Sequence, residues 1–101
     1  MSSHSLIFAP FADDDVRYLL AYTAARWGEA RAVAFKARLD AAADRLLAFP
    51  LMDRRLRIDD VEYRVLVVGE HMPVYRAFED SVVVYRVAHQ RTNPEALLRD
   101  P

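Results

Sequence analysis

The strongest constraint on the fold is the stretch from Met72 to Arg91, MPVYRAFEDSVVVYRVAHQR. β-Branched and aromatic residues fill both of its arms, at a density that fits a pleated and largely buried surface. Glu79 and Asp80 form the polar break between the arms, and aspartate tolerates the backbone conformations of a tight turn. The pattern predicts a β-hairpin whose second arm, Ser81 to Gln90, is a central strand of a sheet.

Two helices are predicted ahead of this hairpin, after a first short strand at Leu6 to Ala9. Asp13 to Asp15 open the first helix, because carboxylates there cap free N–H groups and suit the positive end of the helix dipole. Gly28 ends that helix, and the second helix runs from Glu29 to Phe49, where a proline stops it. Helical spacing predicts two buried stripes: Val16, Leu19, Leu20, Thr23 and Trp27, then Ala32, Phe35, Leu39, Ala42, Leu46 and Phe49.

The second half of the chain is predicted to be mostly strand. Pro50 to Asp60 is first expected to form a solvated loop, because its arginines and aspartates nearly cancel in charge. Val61 to Val68 alternates its side chains between two faces and predicts a strand. Beyond Arg91 we expect a turn at Asn93 and Pro94, followed by one helical turn. The predicted order of elements is therefore β-α-α-β-β-β.

This order predicts an α+β fold, in which a helical hairpin packs on one face of a mostly antiparallel sheet. We expect a single domain over residues 1–101, with flexible ends at residues 1–5 and 95–101. The strands are apolar on both sides, whereas the two helices can cover only one side. An exposed apolar face usually marks a binding site, so the sequence predicts that a partner covers the other face.

The composition excludes several classes of function. The formal net charge is −1, from 14 basic and 15 acidic residues, which gives no support for a general attraction to nucleic acid. The chain has no cysteine, its histidines lack metal-ligand spacing, and its two glycines cannot form a phosphate-binding loop. No metal or cofactor is therefore expected. The N-terminal apolar run is too short for a signal peptide or a membrane span, which predicts a cytoplasmic protein.

Charged side chains on apolar strands are the first candidates for function. Four arginines lie on predicted strands or at their ends, namely Arg64, Arg76, Arg86 and Arg91. In a two-residue hairpin Arg76 faces Val83, while Arg86 points to the other side of the sheet. Each arginine either forms an ion pair within the chain or remains free to contact a partner.

Six segments, in this order and spacing, resemble one known family. They are FADDD, YTAARWGEARA at the helix junction, LLAFP, VEYRVLVV, VYRAFED and VVVYRVAHQRTNP. From Leu6 to about Pro94 the chain resembles the ParE branch of the RelE/ParE superfamily of bacterial toxins. The resemblance implies the RelE/ParE-like fold and a ParD-like antitoxin, whose C-terminal segment wraps the toxin. ParE toxins poison DNA gyrase, whereas their RelE relatives are ribosome-dependent ribonucleases that cut messenger RNA.

The residues that RelE ribonucleases use are mostly missing. The resemblance places their two lysine positions at Arg64 and Leu66, their two arginine positions near Met72 and Arg91, and their tail tyrosine near Leu97. Two cationic positions remain and three working groups are absent. Because losing one such group typically lowers the rate by about 10²–10⁴-fold, we expect little ribonuclease activity.

Three hypotheses follow from the resemblance. The first is a toxin that inhibits DNA gyrase by binding it and is neutralised by a ParD-like antitoxin, without being an enzyme. The second is a degenerate ribonuclease that uses Arg64, His89 and Arg91, and the third is an inactive antitoxin-binding module. The residues expected to contact the antitoxin or the target are Arg64, Arg86, His89, Arg91 and Trp27. Neither a membrane nor sequence-specific nucleic-acid contact is expected.

Overall fold

In the computed structural model, which describes residues 5–99, five strands form one sheet that carries three helices. The elements are β1 (Ser5–Phe8), α1 (Pro10–Trp27), α2 (Glu29–Ala48), β2 (Arg54–Ile58), β3 (Val61–Val65), β4 (His71–Ala77), β5 (Ser81–His89) and α3 (Pro94–Arg99). The strand order is β1-β5-β4-β3-β2, with β1 parallel to β5 and the other neighbours antiparallel. The α+β class is confirmed. No helix within residues 5–99 combines the length and the apolar character needed to cross a membrane.

The first helix begins three residues earlier than the aspartates suggested. Pro10 occupies its first turn, where the fixed φ angle of proline suits a helix and its missing N–H would have no helical partner. Asp13 still lies in the first turn. Gly28, at φ 99°, separates the two helices as predicted, and its positive φ explains why glycine stands there.

The segment from Pro50 to Asp60, predicted to be a solvated loop, contains a strand, so that prediction is wrong. Residues Arg54–Ile58 form β2 at the edge of the sheet and pair with β3. Asp59 and Asp60 join the two strands, and their φ values of 50° and 65° suit a two-residue hairpin turn. In the sequence RRLRI, apolar residues alternate with arginine as in a strand, but the three arginines favoured the prediction of a loop. Charged side chains are common on edge strands, because they discourage pairing with other chains.

A β-bulge changes the predicted directions of the arginines. Arg76 lies opposite Val83, as expected. The register then shifts, so that Val74 lies opposite Arg86 instead of Tyr85. Because residues opposite each other share a face and alternate residues of a strand share a face, Arg76 and Arg86 lie on the same side of the sheet. The expectation that they point to opposite sides is therefore wrong, and the extra residue in β5 is the reason.

The two faces of the sheet are covered by different helices. The helical hairpin covers one face, around a core that includes Ala12, Leu46, Leu66, Tyr75, Val82, Val84 and Val87. On the other face, Leu97 and Leu98 of α3 pack against Val65, Met72, Val74 and Ala88. The prediction that the chain leaves this face open is therefore wrong beneath α3, because a six-residue helix supplies the cover.

Parts of both ends expected to be flexible have regular structure. Ser5 lies in β1, where it pairs with Ser81. Residues 95–99 belong to α3, and Arg99 donates two hydrogen bonds to Asp59, at 2.7 and 2.9 Å. The remaining residues of the two expected flexible ends, 1–4 and 100–101, lie outside the described residues.

Candidate partner-binding site

A groove of about 830 Å³ lies where the helical hairpin meets one end of the sheet. Helices α1 and α2 form one side of the groove, and the β3–β4 connection with the ends of β4 and β5 forms the other. Its aromatic side chains from the helices are Tyr18, Tyr22, Trp27 and Phe35, and its charged or titratable ones include Arg31, Arg38, Glu70, His71 and His89. The groove therefore combines apolar surface with positive charge.

The helix α1 presents three aromatic side chains to solvent along the groove. Trp27, predicted to be buried, has 57% of its surface exposed, and Tyr18 and Tyr22 are 68% and 50% exposed. The two tyrosine rings are stacked, with centroids 6.2 Å apart. The guanidinium carbons of Arg26 and Arg31 lie 5.1 and 5.3 Å from the Trp27 ring centroid, within cation–π range. Exposed aromatic surface of this extent marks a site of interaction.

Two histidines face each other across β4 and β5 at the sheet side of the groove. His71 lies opposite His89, and their ring centroids are 5.4 Å apart at an interplanar angle of 87°. The ring of Phe35, on α2, lies 5.2 Å from that of His71. Burial lowers the pKa of His71, the charges of His89 and Arg38 lower it further, and Glu70 partly opposes them. The fold therefore favours the neutral form of His71.

The lowered pKa predicts a pH-dependent stability. Because the folded-state pKa of His71 lies below the unfolded value of 6.5, the unfolded chain binds a proton more readily. The stabilisation is present above pH 6.5 and is lost as the pH falls through the folded-state pKa. We expect the urea midpoint to decrease between pH 7.5 and 5.5, and His71→Gln to flatten this decrease. An equally steep decrease in the variant would assign it to other groups.

The positive charge of the groove is not neutralised within the described chain. Among residues 5–99, neither Arg31 nor Arg38 has a carboxylate within ion-pair distance. The guanidinium of Arg38 lies against Gly69, where an added Cβ would be only 2.7 Å from Arg38 Nη2. Glu70 Oε2 is 3.8 Å from His89 Nε2, and the Glu70 side chain is 73% exposed. The groove is suited to a ligand that is both apolar and acidic.

Of the predicted contact residues, the structure brings Trp27, His89 and Arg91 to the groove or its border. Trp27 and His89 line it. Arg91 is exposed just beyond β5, and its backbone N–H donates to His89 Nδ1 at 3.1 Å. The described residues 5–99 contain no group of three or more His, Asp or Glu side chains placed to hold a metal ion.

Arg86 is used inside the chain. Its Nε and Nη2 donate to the two carboxylate oxygens of Asp15 at 2.8 and 3.0 Å, and the Val87 N–H donates to the same carboxylate at 2.9 Å. The side chains of Arg86 and Asp15 are only 15% and 18% exposed. The hydrogen bond to Asp15 raises the pKa of Arg86. The guanidinium thus ties β5 to α1 and is not offered to a partner.

Arg64 is also engaged within the chain. Its Nη1 donates to the carbonyl oxygens of Leu51 and Asp53 at 3.0 and 2.8 Å, and its side chain is 14% exposed. It therefore fixes the connection between α2 and β2.

The three residues named for a ribonuclease do not form one site. Arg64 lies opposite Tyr75, which in turn lies opposite Val84 of β5. His89 is five residues further along β5, about 16 Å away at the rise of a strand, and Arg91 follows it. Arg64 is also occupied by loop carbonyls. No arrangement for acid–base cleavage of RNA is built from these groups.

Sequence reasoning missed the pair of histidines. With regular pairing from the Glu79–Asp80 turn, His71 would lie opposite Ala88. The β-bulge brings His89 there instead. Nothing in the residue pattern signals the bulge, so the pair could not be found without the register.

Comparisons with known proteins agree with this architecture. A family model described as the ParE toxin of the type II toxin–antitoxin system parDE matches residues 6–94. A chain of the chromosomal ParDE system from P. aeruginosa has a TM-score of 0.72 at 14% identity, covering 86% of this chain and 96% of that one. A chain of the RelBE2 toxin–antitoxin complex from Mycobacterium tuberculosis has a TM-score of 0.62 at 22% identity, covering 86% and 98%. No curated protein matches the sequence. At such identities the two structures establish a shared fold alone.

Proposed function

Because the chain belongs to the ParE toxin family of type II toxin–antitoxin systems, we propose that it inhibits DNA gyrase by direct binding and is neutralised by a ParD-like antitoxin. That the protein is a toxin with an antitoxin as its partner follows from its family membership. The observation that supports action through protein partners is the groove, where exposed aromatic side chains lie beside Arg31 and Arg38, neither of which has an ion-pair partner among residues 5–99. Gyrase acts on the chromosome, so the proposal puts the protein in the cytoplasm.

The groove is the proposed binding site of the antitoxin. On the opposite face of the sheet, which the sequence predicted as the partner-binding face, α3 covers part of the apolar surface and leaves less of it for a partner. In the groove, apolar side chains of the antitoxin would remove Tyr18, Tyr22 and Trp27 from water, at about 1.5–3 kcal/mol for each large side chain fully buried. Acidic side chains of the antitoxin would pair with Arg31 and Arg38. Ala34 lines the groove and allows a partner backbone to approach closely.

Trp27→Ala should weaken antitoxin binding by about 30-fold or more, since truncating a central aromatic anchor of an interface costs roughly 2 kcal/mol or more. The dissociation constant is measured by isothermal titration calorimetry of the purified toxin with the antitoxin of the same operon. Val33→Ala is the matched control, because Val33 is 64% exposed on α2 but does not line the groove. Equal affinities of the wild type and Trp27→Ala for the antitoxin would exclude the groove as the antitoxin-binding site.

The hydrogen bonds that the cationic residues already make within the chain favour action by binding over catalysis. Arg64 is occupied by backbone carbonyls and Arg86 by a carboxylate, so neither is free to stabilise a phosphorane. His89 and Arg91 alone supply too few groups for metal-free RNA cleavage. A poison that traps gyrase needs a binding surface and no catalytic group of its own.

The test is a gyrase reaction with relaxed plasmid and ATP, with and without the purified toxin. We expect less supercoiling and more protein-linked, linear DNA, and we expect the antitoxin to reverse both. A parallel reaction follows messenger RNA on translating ribosomes. Loss of message with normal supercoiling would support the ribonuclease hypothesis instead, and no effect in either reaction would leave an inactive antitoxin-binding module.

A further inference from the structure

A tight turn after α2 presents three large apolar side chains to solvent. Phe49, Leu51 and Met52 are 56%, 67% and 63% exposed. Phe49 continues the buried stripe of α2 in the sequence, but it lies at the C-terminal cap of the helix, where the chain changes direction. The Met52 N–H donates to the Phe49 carbonyl oxygen at 3.3 Å, which closes the turn. The three exposed side chains therefore belong to one tight turn, residues 49–52, which we call the knuckle.

Hydrogen bonds from two largely shielded side chains, Arg64 and Tyr75, hold this turn in place. Arg64 donates to the carbonyl oxygens of Leu51 and Asp53. Tyr75, which is 0% exposed, donates its hydroxyl to Asp53 Oδ2 at 2.9 Å and lies 3.2 Å from the Pro50 carbonyl oxygen. Burial and the hydrogen bond to Asp53 raise the pKa of Tyr75, so the hydroxyl stays a donor. The backbone is thus fixed while its apolar side chains point outward, which is the preorganisation that favours binding.

Two exposed arginines of β2 lie on the face of the sheet from which Arg64 reaches the turn. Arg55 is opposite Arg64, and Arg57 shares its face because alternate residues of a strand do. Arg55 contacts Glu62 and Arg57 contacts Asp60, each only at 3.8 Å. The arginine side chains are 70% and 66% exposed, so these ion pairs contribute little and leave the charge available. We call the surface formed by these five residues the loop surface: Phe49, Leu51, Met52, Arg55 and Arg57.

We propose that the loop surface docks on the protein target of the toxin, in an apolar pocket bordered by acidic side chains. The charge complement follows from Arg55 and Arg57, and the apolar pocket from the three exposed side chains. A phosphate backbone would match the arginines but not the knuckle. The inference rests on the proposed function, namely that the toxin acts by binding a protein.

The loop surface and the groove lie near opposite ends of α2. Phe35 lines the groove and Phe49 caps the helix, roughly 20 Å apart at the helical rise. An antitoxin seated in the groove therefore has to extend along α2 to cover the loop surface. The two surfaces can be altered separately, which makes their roles distinguishable.

The test compares two double variants of the full chain. Leu51→Ser with Met52→Ser alters the knuckle, and Val33→Ser with Val67→Ser is the control, because both valines are 64% exposed and lie outside both surfaces. We expect the knuckle variant to lose growth arrest on induction and to inhibit gyrase at least about tenfold more weakly. Thermal unfolding and antitoxin binding should match those of the control, which verifies the fold. A third variant, Arg55→Glu with Arg57→Glu, should weaken target inhibition as well.

The outcomes separate this inference from the proposed function. A knuckle variant as toxic as the wild type would overturn the inference. Loss of toxicity in the arginine variant alone would point to a nucleic-acid contact and would overturn it too. If the wild type arrests growth without affecting gyrase, the gyrase proposal fails, and growth arrest alone then tests the loop surface. If the wild type neither arrests growth nor inhibits gyrase, both fail.

Discussion

Replacing Asp15 by alanine is expected to destabilise the protein by about 3 kcal/mol. The change leaves the Arg86 guanidinium and the Val87 N–H without their shared acceptor, in a place where both side chains of the ion pair are mostly buried. Breaking a buried pair from one side costs about 3–5 kcal/mol, and the remaining exposure places this pair at the lower end. For a chain of this length, the melting temperature should fall by more than about 10 °C.

Asp14→Ala is the matched control for this prediction. Asp14 is the exposed neighbour of Asp15 on the same helix, and its removal should change the stability by less than about 0.5 kcal/mol. Asp15→Asn keeps the size of the side chain but removes its charge. An asparagine variant as stable as the wild type would mean that the ion pair contributes nothing to the fold.

Replacing Arg64 by methionine should have the second large effect, on stability and on toxicity together. The Leu51 and Asp53 carbonyls lose their donor, and the connection between α2 and β2 loses its main tie to β3. Hydrogen bonds from a charged group are worth about 1.5–3 kcal/mol each, but the bond to Leu51 is exposed and its carbonyl can bond to water instead. We therefore expect a loss of about 2–3 kcal/mol. Toxicity should also decrease, although Arg64 is not itself on the loop surface.

Hydrogen exchange distinguishes this positioning role from direct contact. In Arg64→Met, the amide of Met52, which donates to the Phe49 carbonyl oxygen, should exchange faster while those of β4 and β5 keep their protection. Arg54→Met is the control, because Arg54 is an exposed arginine on the neighbouring strand. Unchanged exchange at Met52, together with lost toxicity, would mean that Arg64 contacts the target directly.

The elements with strong local patterns were predictable from the sequence. The hairpin of β4 and β5 and the two long helices follow from apolar periodicity and from Gly28, Glu79 and Asp80. The edge strand β2 was not recognised because its arginines suggested a loop. The cover that α3 provides was also missed, because six residues carry too little periodicity to predict where a helix packs.

The roles of the strand arginines could not be predicted from the sequence for a different reason. Arg86 pairs with Asp15, which is 71 residues away along the chain, and Arg64 pairs with backbone carbonyls that no residue type signals. A charged residue on an apolar strand was a correct sign of an unusual environment. In both cases the environment is an internal ion pair or hydrogen bond, and the surfaces we propose for partners are the groove and the loop surface.

Action by binding without catalysis is tested most directly by a titration of toxin against a fixed concentration of gyrase. We expect inhibition and DNA cleavage to rise in proportion to the toxin concentration and to level off once the toxin is roughly equimolar with gyrase. Complete inhibition by toxin at a small fraction of the gyrase concentration would contradict it, because one toxin molecule would then be acting on many targets in turn.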